Sequence, residues 1–208
     1  MGHRVNLPAV YLDRARALAA GPRRLLGLVG PPGSGKSTVA QALAQALGAA
    51  AVVVPMDGFH LAQAELERLQ RAQRKGAPDT FDSAGYVALL HRLRQPTPGE
   101  VVYAPTFDRS LEQPIAGAIA VPHDTPLVIT EGNYLLLPDG HWGWVAPLLD
   151  EVWYVEVPDE LRQQRLLKRH EQHGRTADAA RLWVQTTDEP NARLIAAHKD
   201  RSTCLFRW

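Results

Sequence analysis

The sequence predicts an α/β fold built on one open parallel sheet with helices on both faces. Three observations lead there. Four short apolar runs, RLLGLVG (24–30), AAAVVVPM (49–56), PLVIT (126–130) and EVWYVEV (151–157), mostly lack the polar alternation of a half-exposed sheet, as strands covered on both faces do. Helical periodicities lie between them. The first run leads through GPPGSGKST (30–38) straight into a helical pattern, so strand and helix join at a glycine-rich loop.

In chain order, MGHRVNLPAVYLDRARALAA reads as an amphipathic helix over about 7–20, with Tyr11, Ala15 and Leu18 on one side and Arg14 and Arg16 elsewhere. KSTVAQALAQAL repeats Val39, Leu43 and Leu47 and stops at Gly48. The second apolar run ends at Asp57, in VPMDGFH. SAGYVALLHRLRQ sets Tyr86, Leu89, Leu90 and Leu93 on one stripe behind a candidate cap, Asp82. The segment 96–117 has the Pro and Gly density of an ordered loop or a β excursion. LVIT ends at Glu131, and the closing STCLFRW offers an edge strand. Trp142, Trp144, Trp153 and Trp183 read as packing residues.

Composition bounds the function. A chain of 208 residues with 45% apolar content can bury a full core, and 1–208 is expected to be a single domain. Its 23 basic and 22 acidic residues leave a net charge of +1, which favours neither nucleic acid nor a membrane surface and points to a small partner. The single cysteine, Cys204, excludes an intrachain disulfide and fits a reducing cytoplasm. No window approaches the ~18 apolar residues of a membrane-spanning helix, so no membrane insertion is expected. Oligomeric state is left open, a homodimer included.

GPPGSGKST matches the P-loop pattern G-x-x-x-x-G-K-[ST]. Gly30, Pro31, Pro32, Gly33, Ser34, Gly35, Lys36, Ser37 and Thr38 form the expected nucleotide-binding loop. Its glycines let backbone N–H groups turn onto phosphate oxygens, Lys36 reaches the terminal phosphates, and Ser37 can ligate magnesium. The following helix adds its positive dipole end. The loop resembles that of P-loop NTPases, and the resemblance implies a P-loop NTPase fold of about five strands in the order 2-3-1-4-5. Guanine specificity is not indicated, because neither Asn133 nor Asn191 is followed by the lysine of N-K-x-D. Two acids, Asp57 and Glu131, end strands at the carboxyl edge of the sheet, where such folds hold their ligands.

Together, GPPGSGKS, VPMDGFH, RKGAPDTFD (74–82), APTFDRS (104–110), VITEGNYLLL (128–137) and DEPNAR (188–193) resemble the pantothenate kinase, uridine kinase and phosphoribulokinase group of P-loop kinases. The ensemble is most similar to a branch often labelled fructose transport system kinase. The resemblance implies an enzyme that uses ATP and Mg2+ to phosphorylate a hydroxyl of a small metabolite: a sugar, a pantothenate-like alcohol or a nucleoside. It puts Asp57 where a carboxylate accepts the substrate proton and Glu131 at the Walker B edge near magnesium. Phe59, His60, Asp82, Tyr103, Phe107 and Arg109 match the acceptor-pocket walls, with Asn133 and Tyr134 as further candidates.

The segment about 160–180, PDELRQQRLLKRHEQHGR and beyond, would form a helical lid. Arg162, Arg165 and Arg169 share a face by their spacing, and Arg169 and Arg165 are the candidates for neutralising charge on the transferred phosphoryl. The other reading is a solvated helix with Glu160 and Glu171 as partners. His170 and His173 miss the H-E-x-x-H spacing and read as solvent-facing. Two alternatives stay open: a nucleoside kinase of uridine kinase type, and a P-loop ATPase or nucleotide sensor without a small-molecule acceptor.

Overall fold

A computed structural model describes residues 7–207. Five strands form one parallel sheet: β1 (Arg24–Val29), β2 (Ala51–Pro55), β5 (Leu127–Gly132), β6 (Glu151–Glu156) and β7 (Cys204–Arg207). They lie in the order β2-β5-β1-β6-β7, which is the expected 2-3-1-4-5. All six residues of β5, an interior strand between β2 and β1, are buried, which is why its sequence lacks alternation.

Successive side chains point to opposite faces, and two apolar layers result. Leu26 and Leu28 of β1 pack with Ala15 of α1 (Ala9–Leu18) and with Val39 and Leu43 of α2 (Lys36–Leu47). Leu25 and Val29 face the other way, toward Tyr86 and Leu90 of α4 (Ser83–Arg94). Each fully buried Leu or Val stabilises by roughly 1.5–3 kcal/mol, so both helix faces are committed. Within STCLFRW, Cys204–Arg207 form β7 at one edge of the sheet, as expected, and Trp208 lies outside the described residues. Phe206 is buried, and the Tyr11 hydroxyl of α1 donates to the Leu205 carbonyl at 2.8 Å.

The Pro/Gly-dense segment is a β excursion. β3 (Val101–Asp108) and β4 (Gln113–Pro122) pair antiparallel as a separate hairpin, with a register shift between Ala104 and Thr106. After β6 come α5 (Asp159–Gln172), α6 (Ala177–Trp183), a π-helical turn (Val184–Asp188) and α7 (Glu189–Ala196). Between β2 and α4 lies a short helix, α3 (Gln63–Arg68). Among the described residues, no helix is long and apolar enough to cross a membrane.

Candidate active site

The site begins at the loop between β1 and α2. Gly33 (φ 80°) and Gly35 (φ 87°) adopt left-handed conformations that coil the chain, and Gly35 caps α2. At Gly33 there is no room for a side chain: a Cβ would lie 2.6 Å from the Arg162 carbonyl oxygen of α5. Ser34 Oγ is buried with no hydrogen-bond partner among the described residues, a donor that a phosphate oxygen would complete.

Lys36 is half-buried at the head of α2, and burial lowers its pKa against the opposing pull of the Glu131 and Asp57 charges. Glu131 is 5% exposed and accepts a hydrogen bond from Ser37 Oγ at 2.9 Å. Burial raises its pKa, with the Lys36 charge acting in the other direction. This hydroxyl and carboxylate are hard oxygen donors of the kind magnesium takes beside phosphate oxygens. Glu131 lies across from Leu28 of β1 and Pro55 of β2. It therefore stands between the loop strand and the strand that leads to Asp57.

Asp57 occupies a 3-10 turn, Met56–Phe59, immediately after β2. The turn depends on Gly58, where a Cβ would meet the Pro105 carbonyl oxygen of β3 at 2.4 Å. That close approach brings the β3–β4 hairpin over the turn. Arg109 Nη2 then donates to Asp57 Oδ2 at 3.1 Å, and the His60 ring lies 4.7 Å from Phe107 and 4.0 Å from Phe81. His60 Nδ1 is 2.8 Å from the Asp57 carbonyl oxygen. Because a carbonyl only accepts, Nδ1 carries the proton, and Nε2 is the acceptor nitrogen of the neutral ring. Burial lowers the His60 pKa and favours that neutral form.

Loop, turn and hairpin open into one cleft of about 600 Å³ that also reaches α5 and the π turn. Arg169 lines it, with its guanidinium pKa lowered by burial and by the nearby Arg109 charge. On the same wall His170 Nε2 meets Asp188 Oδ2 at 2.8 Å, and the Arg175 guanidinium sits 4.0 Å from the Trp183 ring centroid.

The cleft thus gathers Pro32, Lys36, Ser37, Asp57, His60, Phe107, Arg109, Asn133 and Arg169 from the expected set. Asn133 Oδ1 is buried there with no hydrogen-bond partner among the described residues. Other expected residues lie elsewhere. Phe59 packs on Tyr86 at 5.2 Å, and Asp82 caps α4 by accepting from Gly85 N at 2.8 Å. Tyr103 is 60% exposed on the hairpin, because its alternate position on β3 points away from the buried Val102 and Ala104. Tyr134 is fully buried against Phe81 and Trp142, and its hydroxyl donates to the Gly76 carbonyl. Arg165 is exposed on α5 and does not line the cleft.

Three readings of the α5–α7 region need correction. Arg162 is not part of an open basic face: it is 1% exposed and paired with Asp159 and Glu189. His170 is held by Asp188 in the cleft wall instead of facing solvent, whereas His173 borders the cleft and is exposed, as expected. Trp183 also lines the cleft, while Trp144 is 65% exposed and packs little. Residues missed entirely include Lys75, Glu112 and Asp188. Lys75 and Asp188 sit inside RKGAPDTFD and DEPNAR, motifs whose site roles only the folded chain displays.

A glycine-rich loop on a parallel sheet, with two strand-end acids and a cleft closed by a helical wall, defines a P-loop kinase fold. The chain belongs to the AAA_33 family, described as an AAA domain, whose model matches residues 25–188. A crystal structure from Silicibacter sp. TM1040, of a protein provisionally described as a fructose transport system kinase, is 39% identical. It superposes with a TM-score of 0.85 over 96% of this chain and 99% of its own. The uncharacterized Escherichia coli (strain K12) protein YggC is 36% identical over 97% of this chain and 85% of its own. The ATP-dependent kinase-like protein notR′ of Aspergillus versicolor is 37% identical over 69% of this chain and 88% of its own.

Proposed function

We propose that the chain is an ATP-dependent phosphotransferase that phosphorylates a hydroxyl of a small metabolite, with Asp57 as the proton acceptor. The observation that carries this reading is the shared cleft of Asp57, Lys36 and Ser37, with Arg109 bonded to the Asp57 carboxylate. A nucleotide sensor has no need of a carboxylate and an aromatic-walled subsite facing the phosphate loop.

In the proposed reaction the acceptor oxygen forms a bond to the γ-phosphorus, the bond from that phosphorus to the β-bridging oxygen breaks, and ADP leaves. The acceptor proton passes to Asp57. Lys36 and the loop N–H groups orient the phosphates, and Arg169 and Arg109 offset charge spreading over the transferred group. Ser37 and Glu131 would hold the magnesium, which supplies charge neutralisation between the phosphates when bound. Phe81, His60 and Phe107 bound the acceptor subsite, and α5 with the π turn excludes water from the cleft.

A panel of primary alcohols covering sugars, nucleosides and pantothenate-like compounds tests the reading through ADP release above the rate with water. Stimulation by at least one alcohol, with its phosphate ester identified by mass, is the expected result. If no alcohol stimulates release while a protein partner does, a nucleotide-sensing ATPase replaces the kinase.

A further inference from the structure

We propose that Arg162 is a positioning residue that couples the phosphate loop to the wall carrying Arg169, and so sets where the Arg169 guanidinium stands relative to that loop. Arg162 lies in the first turns of α5 and is 1% exposed, which is rare for an arginine. Its Nε bonds Asp159 Oδ1 at 3.0 Å, and its Nη2 lies 2.7 Å from Glu189 Oε1 at the head of α7. Its carbonyl oxygen and Cγ would meet a Cβ on Gly33 at 2.6 and 3.0 Å, and Leu166 Cγ would meet it at 2.9 Å. One residue therefore meets the phosphate loop through its carbonyl and Cγ and ties α5 to α7 through its guanidinium.

Residues 162, 166 and 169 fall on one face of α5, at spacings of four and three. The near end of that face rests on Gly33, and the far end, about 10 Å along the axis, presents Arg169 to the cleft. A second strap works from the other end of the helix, where His170 grips Asp188, the residue before Glu189. The two straps tie α5 to the junction of the π turn and α7.

Stability alone does not account for the arginine. Its Nη1 is buried with no hydrogen-bond partner among the described residues, and Glu189 Oε1 is met outside hydrogen-bond geometry. Buried pairs of this quality are commonly replaced by apolar residues at no cost in stability, whereas removing one partner is costly. What an apolar pair does not reproduce is the directional tie among three segments.

The test needs no acceptor, so its outcome is separate from that of the kinase reading. Arg162→Met combined with Glu189→Leu exchanges the ion pair for an apolar pair. The expected result is a melting temperature within a few degrees of wild type but an affinity for the magnesium complex of AMP-PNP, measured by calorimetry, weakened about tenfold. Arg169→Ala should weaken it comparably, and the triple variant should bind no more weakly than the double, because Arg162 acts through Arg169. Arg162→Lys keeps a charge for Glu189 without the second arm that reaches Asp159, and is expected to fold with an intermediate loss even if the apolar pair does not fold. Wild-type affinity in either folded variant would make Arg162 purely structural. Losses that add in full in the triple variant would separate it from Arg169, and either result overturns the proposal.

Discussion

The two sides of the cleft are built on different principles. The proposed phosphate side is local: Gly30 to Thr38 is one stretch of chain running from the end of β1 into the first turn of α2, completed by Glu131 from the neighbouring strand. The proposed acceptor side is assembled from afar. Asp57 and His60 follow β2, Phe81 precedes α4, Phe107 and Arg109 come from the hairpin, and Arg169 and Asp188 come from the helical wall. A local loop is specified by backbone conformation, whereas a composite subsite is specified by packing between segments. The phosphate side should therefore fail completely when one residue changes, and the acceptor side should fail by degrees.

The largest effect should come from Lys36→Ala. Loss of the point charge on the terminal phosphates should leave a folded protein with weakened ATP binding and turnover reduced by about 10³-fold or more, as titration calorimetry and a coupled ADP assay would show. An unchanged ATP affinity would dissolve the contrast, because the loop would no longer be the phosphate side. Asp57→Asn should be next. It keeps the size and most of the hydrogen bonding but loses proton acceptance, so kcat should fall by roughly 10² to 10⁴ while ATP affinity is retained. Full acceptor-dependent turnover in that variant would reduce Asp57 to a turn residue.

Glu131 sharpens the comparison through stability. Its folded-state pKa is raised, first by burial, so the folded protein holds this proton more tightly than the unfolded chain. The stability this contributes is present below the ordinary pKa near 4.5 and is lost as pH rises through the folded value. Glu131→Gln should therefore melt above wild type at neutral pH, by about 2–4 °C per kcal/mol recovered, with the gain shrinking as pH falls through the raised folded value and gone below the ordinary one. The same variant should need more magnesium for activity. A melting gain that does not depend on pH would show that the burial penalty is not its source. The smallest effect belongs to Asp82→Ala. Losing the cap on α4 should cost about 1 kcal/mol and leave the KM for the acceptor unchanged. A raised KM would return Asp82 to the acceptor subsite.

The sequence by itself determined the parallel sheet and the phosphate loop, and the strand order followed from the resemblance of that loop to those of P-loop folds. Sheet and loop depend on short-range patterns: apolar runs without alternation, helical stripes such as Val39 with Leu43, and a glycine-rich loop between strand and helix. It also singled out Asp57 and Glu131, because a carboxylate at the end of a buried strand stands out without any knowledge of its neighbours. Only the tertiary structure decided the rest. Phe59 and Tyr134 are as aromatic as Phe107, yet the first two fill the core, while the β3–β4 hairpin swings Phe107 over the turn at Gly58 and into the cleft. Arg162, Arg165 and Arg169 look alike on a helical wheel, but Gly33 and Glu189 bury the first, the second lies exposed on α5 outside the cleft lining, and the cleft takes the third. Helical spacing tells which residues share a face. What that face meets depends on segments far away in the chain, and their approach is set by packing that no local pattern records.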